Sequence, residues 1–259
     1  MSAAPLVTVS RDGRVATIRL NRPEKRNALN SALIAAATTS LERFRDDLDT
    51  LIIVLTGAGP AFSAGADVQE LQSLNEESAR NFITHLHVLI DTVRSLPQIV
   101  IAAIRGPCLG GALELAAACD LRIAAENARF GMPEVRVGIP SVIEAALLPA
   151  LIGLGRAADL VLTGETMDAA WAERCGLVSR VVPDAALDTE ALALAHRLAS
   201  LSGPALRAQK RLIRGWPGAV IDASVQESIA TFAEMYRTPN PAEAIAALHE
   251  GRPPRFVVP

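Results

Sequence analysis

The sequence predicts an α/β fold, because short apolar runs alternate with longer helical patterns along its first part. Residues 51–56 and 99–104 are continuous apolar runs that end at segments containing glycine and proline, as buried strands do. A third run of this kind covers residues 121–124. The C-terminal part shows helical patterns only. We therefore expect a strand-and-helix core over residues 1–190 and a helical region over residues 191–259.

Turn and cap signals define the individual elements in order. Residues 6–9 and 15–20 alternate around the turn Arg11-Asp12-Gly13, which predicts a hairpin. Asn30 is a favourable N-cap, and a helix should run from there to about Arg45. The remaining predicted helices cover residues 76–96, 112–118, 185–200, 204–214, 219–236 and 241–250.

Composition and charge exclude several classes of function. The 259 residues carry 25 basic and 28 acidic side chains and few aromatic ones, namely six Phe, two Trp and one Tyr. These values argue against a surface for nucleic acid or anionic lipid. The longest apolar run, residues 145–155, is shorter than the roughly 18 residues of a membrane span. Three cysteines without a C-x-x-C motif fit a reducing compartment, so we expect a cytoplasmic protein without a secretory signal.

Two glutamates are candidates for chemistry. Glu114 is the one charged side chain between Pro107 and Cys119, on a predicted helix that is apolar nearly all round. A buried carboxylate is costly unless it is paired or used, and burial raises its pKa toward values suited to acid–base chemistry. The alternative is a first-turn glutamate stabilised by the helix dipole. Glu134, which follows Pro133, is a second candidate, although alone it fits the start of a helix.

Two loops of small residues provide further candidates. Gly110-Gly111 precedes the helix predicted over residues 112–118, and glycines there let a ligand approach backbone N–H groups that suit an oxyanion. The same pair also fits a simple tight turn. The loop from Phe62 to Asp67 follows a predicted strand and leaves room for a ligand, although an ordinary N-capped loop has the same pattern.

A series of short segments shares the order and spacing of a known family. Each segment is weak alone, whereas together they cover nearly the whole chain. The segments are NRPEKRNALN (21–30), VLTG (54–57), AFSAGAD (61–67), IAAIRG (101–106), LGGALELAA (109–117), CD (119–120), FGMPE (130–134), LTGE (162–165), GLV (176–178) and RPPRF (252–256). On these residues the chain resembles the crotonase superfamily, which comprises enoyl-CoA hydratases and isomerases.

The resemblance implies both a fold and an activity. The fold is a crotonase-type spiral of repeated ββα units, with a C-terminal helical region that forms trimers and often dimers of trimers. The activity is that of a hydro-lyase of fatty acid metabolism, an enoyl-CoA hydratase that adds water across the trans-2 double bond of an acyl-CoA thioester. The resemblance implies no separate cofactor and no metal, because CoA arrives as part of the substrate.

The resemblance also implies roles for individual residues. The backbone N–H groups of Ala66 and Gly111 match the oxyanion hole that holds the thioester oxygen. Glu114 matches the carboxylate that activates water for attack at C3, and Glu134 matches the one that supplies a proton at C2. The residues that match substrate- and CoA-binding positions are Lys25, Arg26, Ala28, Ala64, Gly65, Asp67, Gly110 and Ser141.

One stretch departs from the family pattern. Hydratases commonly have a glycine-rich segment after the Ile-Pro that follows the second glutamate, whereas this chain has Ser141-Val-Ile-Glu144-Ala-Ala. The segment lines the acyl pocket in the family, so the change leaves substrate and reaction type open. Glu144 introduces a third carboxylate near the pair, and we expect its role to be structural.

Two alternatives to a hydratase stay open, and the residues argue against two others. A Δ3–Δ2 enoyl-CoA isomerase and a non-catalytic acyl-CoA-binding protein remain compatible with the resemblance. A serine hydrolase at Ser63 would need a partner histidine, and all four histidines lie in helical stretches that resemble surface. A metal site at His85 and His87 is not expected, because helical residues two apart do not share a face.

Overall fold

The fold is built on two sheets joined by helices. A computed structural model describes residues 4–215 and 218–255. The main sheet contains, in spatial order, β1 (Val7–Asp12), β2 (Val15–Leu20), β3 (Ile52–Gly57), β4 (Ile99–Ile104), β6 (Leu121–Ala125) and β9 (Arg180–Val182). The smaller sheet contains β5 (Pro107–Leu109), β7 (Arg129–Gly131) and β8 (Thr166–Asp168). In the main sheet, β1 and β2 are antiparallel and every other neighbouring pair is parallel.

The described helices follow the predicted pattern. They are α1 (Ser31–Glu42), α2 (Val68–Gln72), α3 (Glu76–Ser95), α4 (Gly111–Ala118), α5 (Leu148–Ile152), α6 (Leu154–Thr163), α7 (Ala169–Arg174), α8 (Leu187–Ala199), α9 (Gly203–Gly215), α10 (Gly218–Met235) and α11 (Asn240–Glu250). Asn30 caps α1 as predicted, and the helix ends three residues before the predicted Arg45. The predicted helices match α1, α3, α4, α8, α9, α10 and α11 within a few residues, the usual precision of helix boundaries, whereas α5, α6 and α7 have no predicted counterpart.

Strands β3 and β4 are buried on both faces, which explains their continuous apolar sequences. Alternate residues of a strand point to opposite faces of its sheet. Ile53 and Leu55 pack into the larger core with α1, α3 and α4, whereas Ile52 and Val54 pack against α8. A parallel sheet covered on both sides selects apolar residues at every position.

Successive parts of the chain repeat one unit, a strand of the main sheet, a shorter extended segment and a helix. The clearest example is β4 followed by β5 and α4. In the preceding unit, β3 is followed by a loop that joins β5 through an isolated bridge between Ser63 and Cys108. This is the repeated ββα unit that the sequence resemblance implies.

Asn27 ties its own loop to the loop that follows β3. Its side chain is fully buried, accepts the Arg22 N–H and donates to the carbonyls of Ala58 and Ala61 at 2.9 and 2.8 Å. Its backbone has a φ of +54°, which asparagine tolerates better than most residues. The asparagine therefore holds the loop that leads to Ser63 and the residues after it.

The last two helices, α10 and α11, pack against elements from the first part of the chain. α10 packs against α3 and against the 3₁₀ turn Ile143–Leu147, and α11 packs against the 3₁₀ turn Pro133–Val137. The boundary predicted between residues 190 and 191 falls within α8, so the division into two regions stays a prediction. Among the described residues, no helix is long and apolar enough to cross a lipid bilayer.

Candidate active site

The two loops predicted to bind a ligand lie side by side. The Ser63 N–H donates to the Pro107 carbonyl at 3.0 Å, and the Leu109 N–H donates to the Ser63 carbonyl at 3.3 Å. Gly65 fits between them because a Cβ at that position would lie 2.6 Å from the Leu109 carbonyl oxygen. This close approach places Ala66 beside the start of α4.

Both amides assigned to the oxyanion hole are available to a ligand. Gly111 is the first residue of α4, so its N–H has no acceptor in the preceding turn. In the described ranges, neither this N–H nor that of Ala66 donates to a protein acceptor. Two such donors that line one cavity suit an oxygen that acquires negative charge.

The cavity that joins these amides also contains the two predicted carboxyl groups. Its volume is about 30 Å³, enough for a water molecule. Ala66, Gly111, Glu114 and Glu134 all contribute to its wall. The rest of the wall is apolar and consists of Leu71, Phe82, Ile83, Leu86, Ile139, Pro140, Val142 and Phe232.

Glu114 is a buried carboxyl group with one protein donor among the described residues. Its side chain projects from α4, which is buried along its whole length, and only 3% of the residue is exposed. The Ala145 N–H donates to Oε1 at 2.9 Å. Burial raises the pKa of Glu114 well above its usual range, and the negative charges of Glu134 and Glu144 raise it further.

Glu134 faces the same cavity from the turn Pro133–Val137. Burial raises its pKa to about 7, although the Ser141 hydroxyl opposes this by donating to Oε2 at 2.9 Å. Gly110 borders the other oxygen, and a Cβ at that position would lie 2.2 Å from Oε1. Gly110 therefore provides the space in which this carboxyl group sits.

Replacing Gly110 by alanine should therefore disable the site. Both Gly110 and Gly13 have a positive φ, +52° and +56°, so alanine at either position should lower folding stability, by roughly 1–3 kcal/mol. Only at Gly110 would the new methyl group displace Glu134, and a displacement of about 1 Å can reduce the rate about 10²-fold. We expect Gly110→Ala to lose turnover of an enoyl-CoA and Gly13→Ala to keep it. Thermal unfolding of both variants should be measured on the same preparations. Equal turnover in the two variants would contradict this role.

The stretch that departs from the family pattern supplies contacts to both carboxyl groups. Ser141 bonds to Glu134, and the Ala145 amide bonds to Glu114. Glu144 is fully buried and contacts Nδ1 of His87 at 2.8 Å. The expectation that every histidine lies in a surface-like stretch is therefore wrong for His87. Periodicity alone did not show that this part of α3 meets a chain segment 57 residues away.

The other predicted binding residues lie at or beside the loops of the site. Lys25 and Arg26 are exposed, and the Arg26 carbonyl accepts the Ala64 N–H at 2.9 Å. Ala28 accepts a hydrogen bond from the guanidinium of Arg22. The side chain of Asp67 caps α2 and pairs with that same guanidinium, so its carboxylate is already engaged by the protein.

Two rival sites lack the groups that their chemistry needs. Ser63 is fully buried, and its hydroxyl donates to the Asn27 carbonyl at 2.7 Å rather than to a histidine. In the part of the chain that the structure describes, no cluster of three His, Cys, Asp or Glu residues is arranged to hold a metal ion.

A larger cavity of about 170 Å³ lies on the far end of α4, where Ala117 and Ala118 line it. Its charged groups are engaged by the protein. Lys210 donates to Asp120 at 2.8 Å and to the carbonyls of Val93 and Gln98. The smaller cavity is the better candidate because its carboxyl groups have raised pKa values and its two amides have no protein acceptor among the described residues.

Several residues of the cavity wall were not identified from the sequence. Phe82 and Leu86 lie four residues apart on one face of α3, a spacing that indicated a buried helix face but not which cavity it borders. Phe232 comes from α10, far along the chain. Its part in the wall depends on how α10 packs on α3, which the sequence pattern does not specify.

Comparison with known proteins finds similar sequences that cover nearly the whole chain. A family model described as enoyl-CoA hydratase/isomerase matches residues 10–257. A probable enoyl-CoA hydratase of Mycobacterium bovis is 40% identical over 252 residues, which are 96% of this chain and 97% of the relative. A short-chain-enoyl-CoA hydratase of Clostridium acetobutylicum is 35% identical over 95% of both chains.

A solved structure extends the likeness to the fold. The crystal structure of an enoyl-CoA hydratase/isomerase from Pseudoalteromonas atlantica T6c superimposes with a TM-score of 0.89 at 33% identity. The match covers 97% of this chain and 100% of that one. With its ββα units, its two loops and its paired glutamates, the chain belongs to the enoyl-CoA hydratase/isomerase family.

Proposed function

We propose that this protein is an enoyl-CoA hydratase that adds water across the trans-2 double bond of an acyl-CoA thioester. The observation that carries the proposal is the meeting of two carboxyl groups and two available amides in one cavity with room for water. Relatives that cover nearly the whole chain are named enoyl-CoA hydratases, which supports the same activity.

In the proposed reaction the thioester oxygen accepts hydrogen bonds from the N–H groups of Ala66 and Gly111. The water oxygen bonds to C3 while one of its protons passes to Glu114. The electrons of the double bond move toward the thioester oxygen, and Glu134 delivers a proton to C2. A proton that returns from Glu114 to Glu134 restores the starting state, so one water molecule is consumed in each turnover.

The hydrogen-bond donors of the two carboxyl groups support this division of roles. A backbone N–H only donates, so the Ala145 amide favours the ionised form of Glu114, which a base requires. A hydroxyl donates or accepts, so Ser141 can stabilise Glu134 in either state. Burial raises both pKa values, and the two carboxyl groups titrate as a coupled system.

The proposal extends to partners and location. We propose that Lys25 and Arg26, which are exposed beside the Ala64 loop, reach the phosphates of CoA, and that no separate cofactor is needed.

We also propose that the protein is a homotrimer or a dimer of trimers and that it is located in the cytoplasm. Sedimentation velocity distinguishes the two assemblies. The location rests on cysteines that are unpaired, two of which are buried.

Absorbance of the conjugated enoyl thioester tests the activity directly. We expect the wild-type protein to consume crotonyl-CoA, a longer trans-2-enoyl-CoA, or both, with formation of the 3-hydroxyacyl product. Production of a trans-2-enoyl thioester from a Δ3-enoyl-CoA, without hydration, would instead identify an isomerase. Binding of acyl-CoA without any turnover would identify a non-catalytic binding protein.

A further inference from the structure

A buried charge cluster lies beside Glu114 and has no part in the proposed hydration. Glu144 is fully buried, and its Oε1 accepts a hydrogen bond from Nδ1 of His87 at 2.8 Å. The guanidinium of Arg94 lies 3.8 Å from the same oxygen. His87 and Arg94 both belong to α3, so the cluster joins that helix to the turn Ile143–Leu147.

This turn needs external support. Ile143 has a φ of +41°, a conformation that is strongly disfavoured for a β-branched residue. Its N–H donates to the Ser228 hydroxyl at 2.6 Å, and its side chain is buried. Strained backbone persists only when surrounding contacts hold it in place.

The next residues of the turn connect this support to the site. Ala145 follows Glu144 directly and shares its N–H between Oε1 of Glu114 and the Val142 carbonyl within the same stretch, both at 2.9 Å. A shift of the turn away from α3 would therefore remove the protein hydrogen bond of Glu114. Among the described residues, the ionisable groups that face Glu144 are His87 and Arg94 of α3 and Glu114 of α4, and Asp91 acts on His87 from its own helix.

We propose that His87 and Glu144 are positioning residues that hold the turn Ile143–Leu147 on α3 and thereby keep the Ala145 amide on Glu114. The effect on rate rests on the proposed hydratase function, whereas the effect on the amide does not. Loss of a hydrogen bond to an ionised group corresponds to a rate decrease of roughly 10- to 100-fold.

The test compares His87→Leu, which removes the hydrogen bond, with His87→Asn, whose side-chain amide keeps a donor near the position of Nδ1. His85→Leu is the matched control, because His85 is exposed on the same helix. We expect kcat to fall roughly 10- to 100-fold in His87→Leu with little change in KM. His87→Asn should restore most of kcat, and His85→Leu should leave it unchanged.

Hydrogen exchange at the Ala145 amide provides a readout that does not depend on turnover. We expect faster exchange in His87→Leu than in wild type or His87→Asn, because the amide loses one of its two acceptors and keeps only the Val142 carbonyl. Unchanged exchange and kcat in a folded His87→Leu would overturn the proposal, as would equal losses in the leucine and asparagine variants. Absence of turnover in wild type would contradict only the hydratase function.

A second pair of variants, at Glu144, tests the same proposal if His87→Leu does not fold. Glu144→Gln keeps the shape and an acceptor for His87, whereas Glu144→Ala removes both. We expect the glutamine variant to have a higher kcat and slower exchange at the Ala145 amide than the alanine variant. Because glutamine removes a negative charge beside Glu114, the acidic limb of its kcat/KM profile should also move to lower pH. Equal kcat and exchange in the two variants would overturn the proposal.

Discussion

Replacing Glu114 by glutamine should lower kcat for crotonyl-CoA hydration by about 10²–10⁴-fold, the usual contribution of a general base. The amide cannot accept the proton that water loses as it attacks C3. The fold should persist, because glutamine keeps an oxygen for the Ala145 N–H and removes a carboxyl group whose ionisation burial opposes. Steady-state rates and thermal unfolding, measured on the same preparations, check both expectations.

Glu77→Gln is the matched control for this variant. Glu77 is an exposed glutamate in the first turn of α3, so the substitution makes the same chemical change away from the cavity. Wild-type kcat is expected for it. A Glu114→Gln protein that is folded and hydrates crotonyl-CoA at the wild-type rate would show that another group activates water.

Replacing Glu134 by glutamine should also lower kcat by about 10²–10⁴-fold, because C2 then lacks its proton donor. The pH profile provides a separate signature. Burial raises the pKa of Glu134 to about 7, and an acid must be protonated to act. Wild-type kcat/KM should therefore decline as pH rises through about 7, the direction in which Glu134 loses its proton.

The residual activity of Glu134→Gln should lack this alkaline decline, because the group that titrates is gone. Ser141→Ala helps to assign the profile, because it removes a donor that lowers the pKa of Glu134. The alkaline limb of that variant should move to higher pH. A decline that stays in the Glu134→Gln profile would assign it to another group, and the coupled partner Glu114 would then be the first to examine.

Much of the molecule was predictable from local sequence. Strands β3 and β4 were identifiable because burial on both faces leaves a continuous apolar run. Glu114 stood out because a single carboxyl group in an apolar helix has few structural explanations. The strands β5, β7, β8 and β9 were not predicted, because three residues are too few to display a period.

The sequence by itself indicated the family, through the order and spacing of short segments along nearly the whole chain, and with it the two glutamates and the glycine-bordered loops as candidates. Only the tertiary structure showed which donor each carboxyl group has, a donor-only amide on Glu114 and a hydroxyl on Glu134. It alone also brought His87 to Glu144 across 57 residues. Such contacts depend on how α3, α10 and the turn Ile143–Leu147 pack together, and helical periodicity specifies which face is buried but not what lies against it.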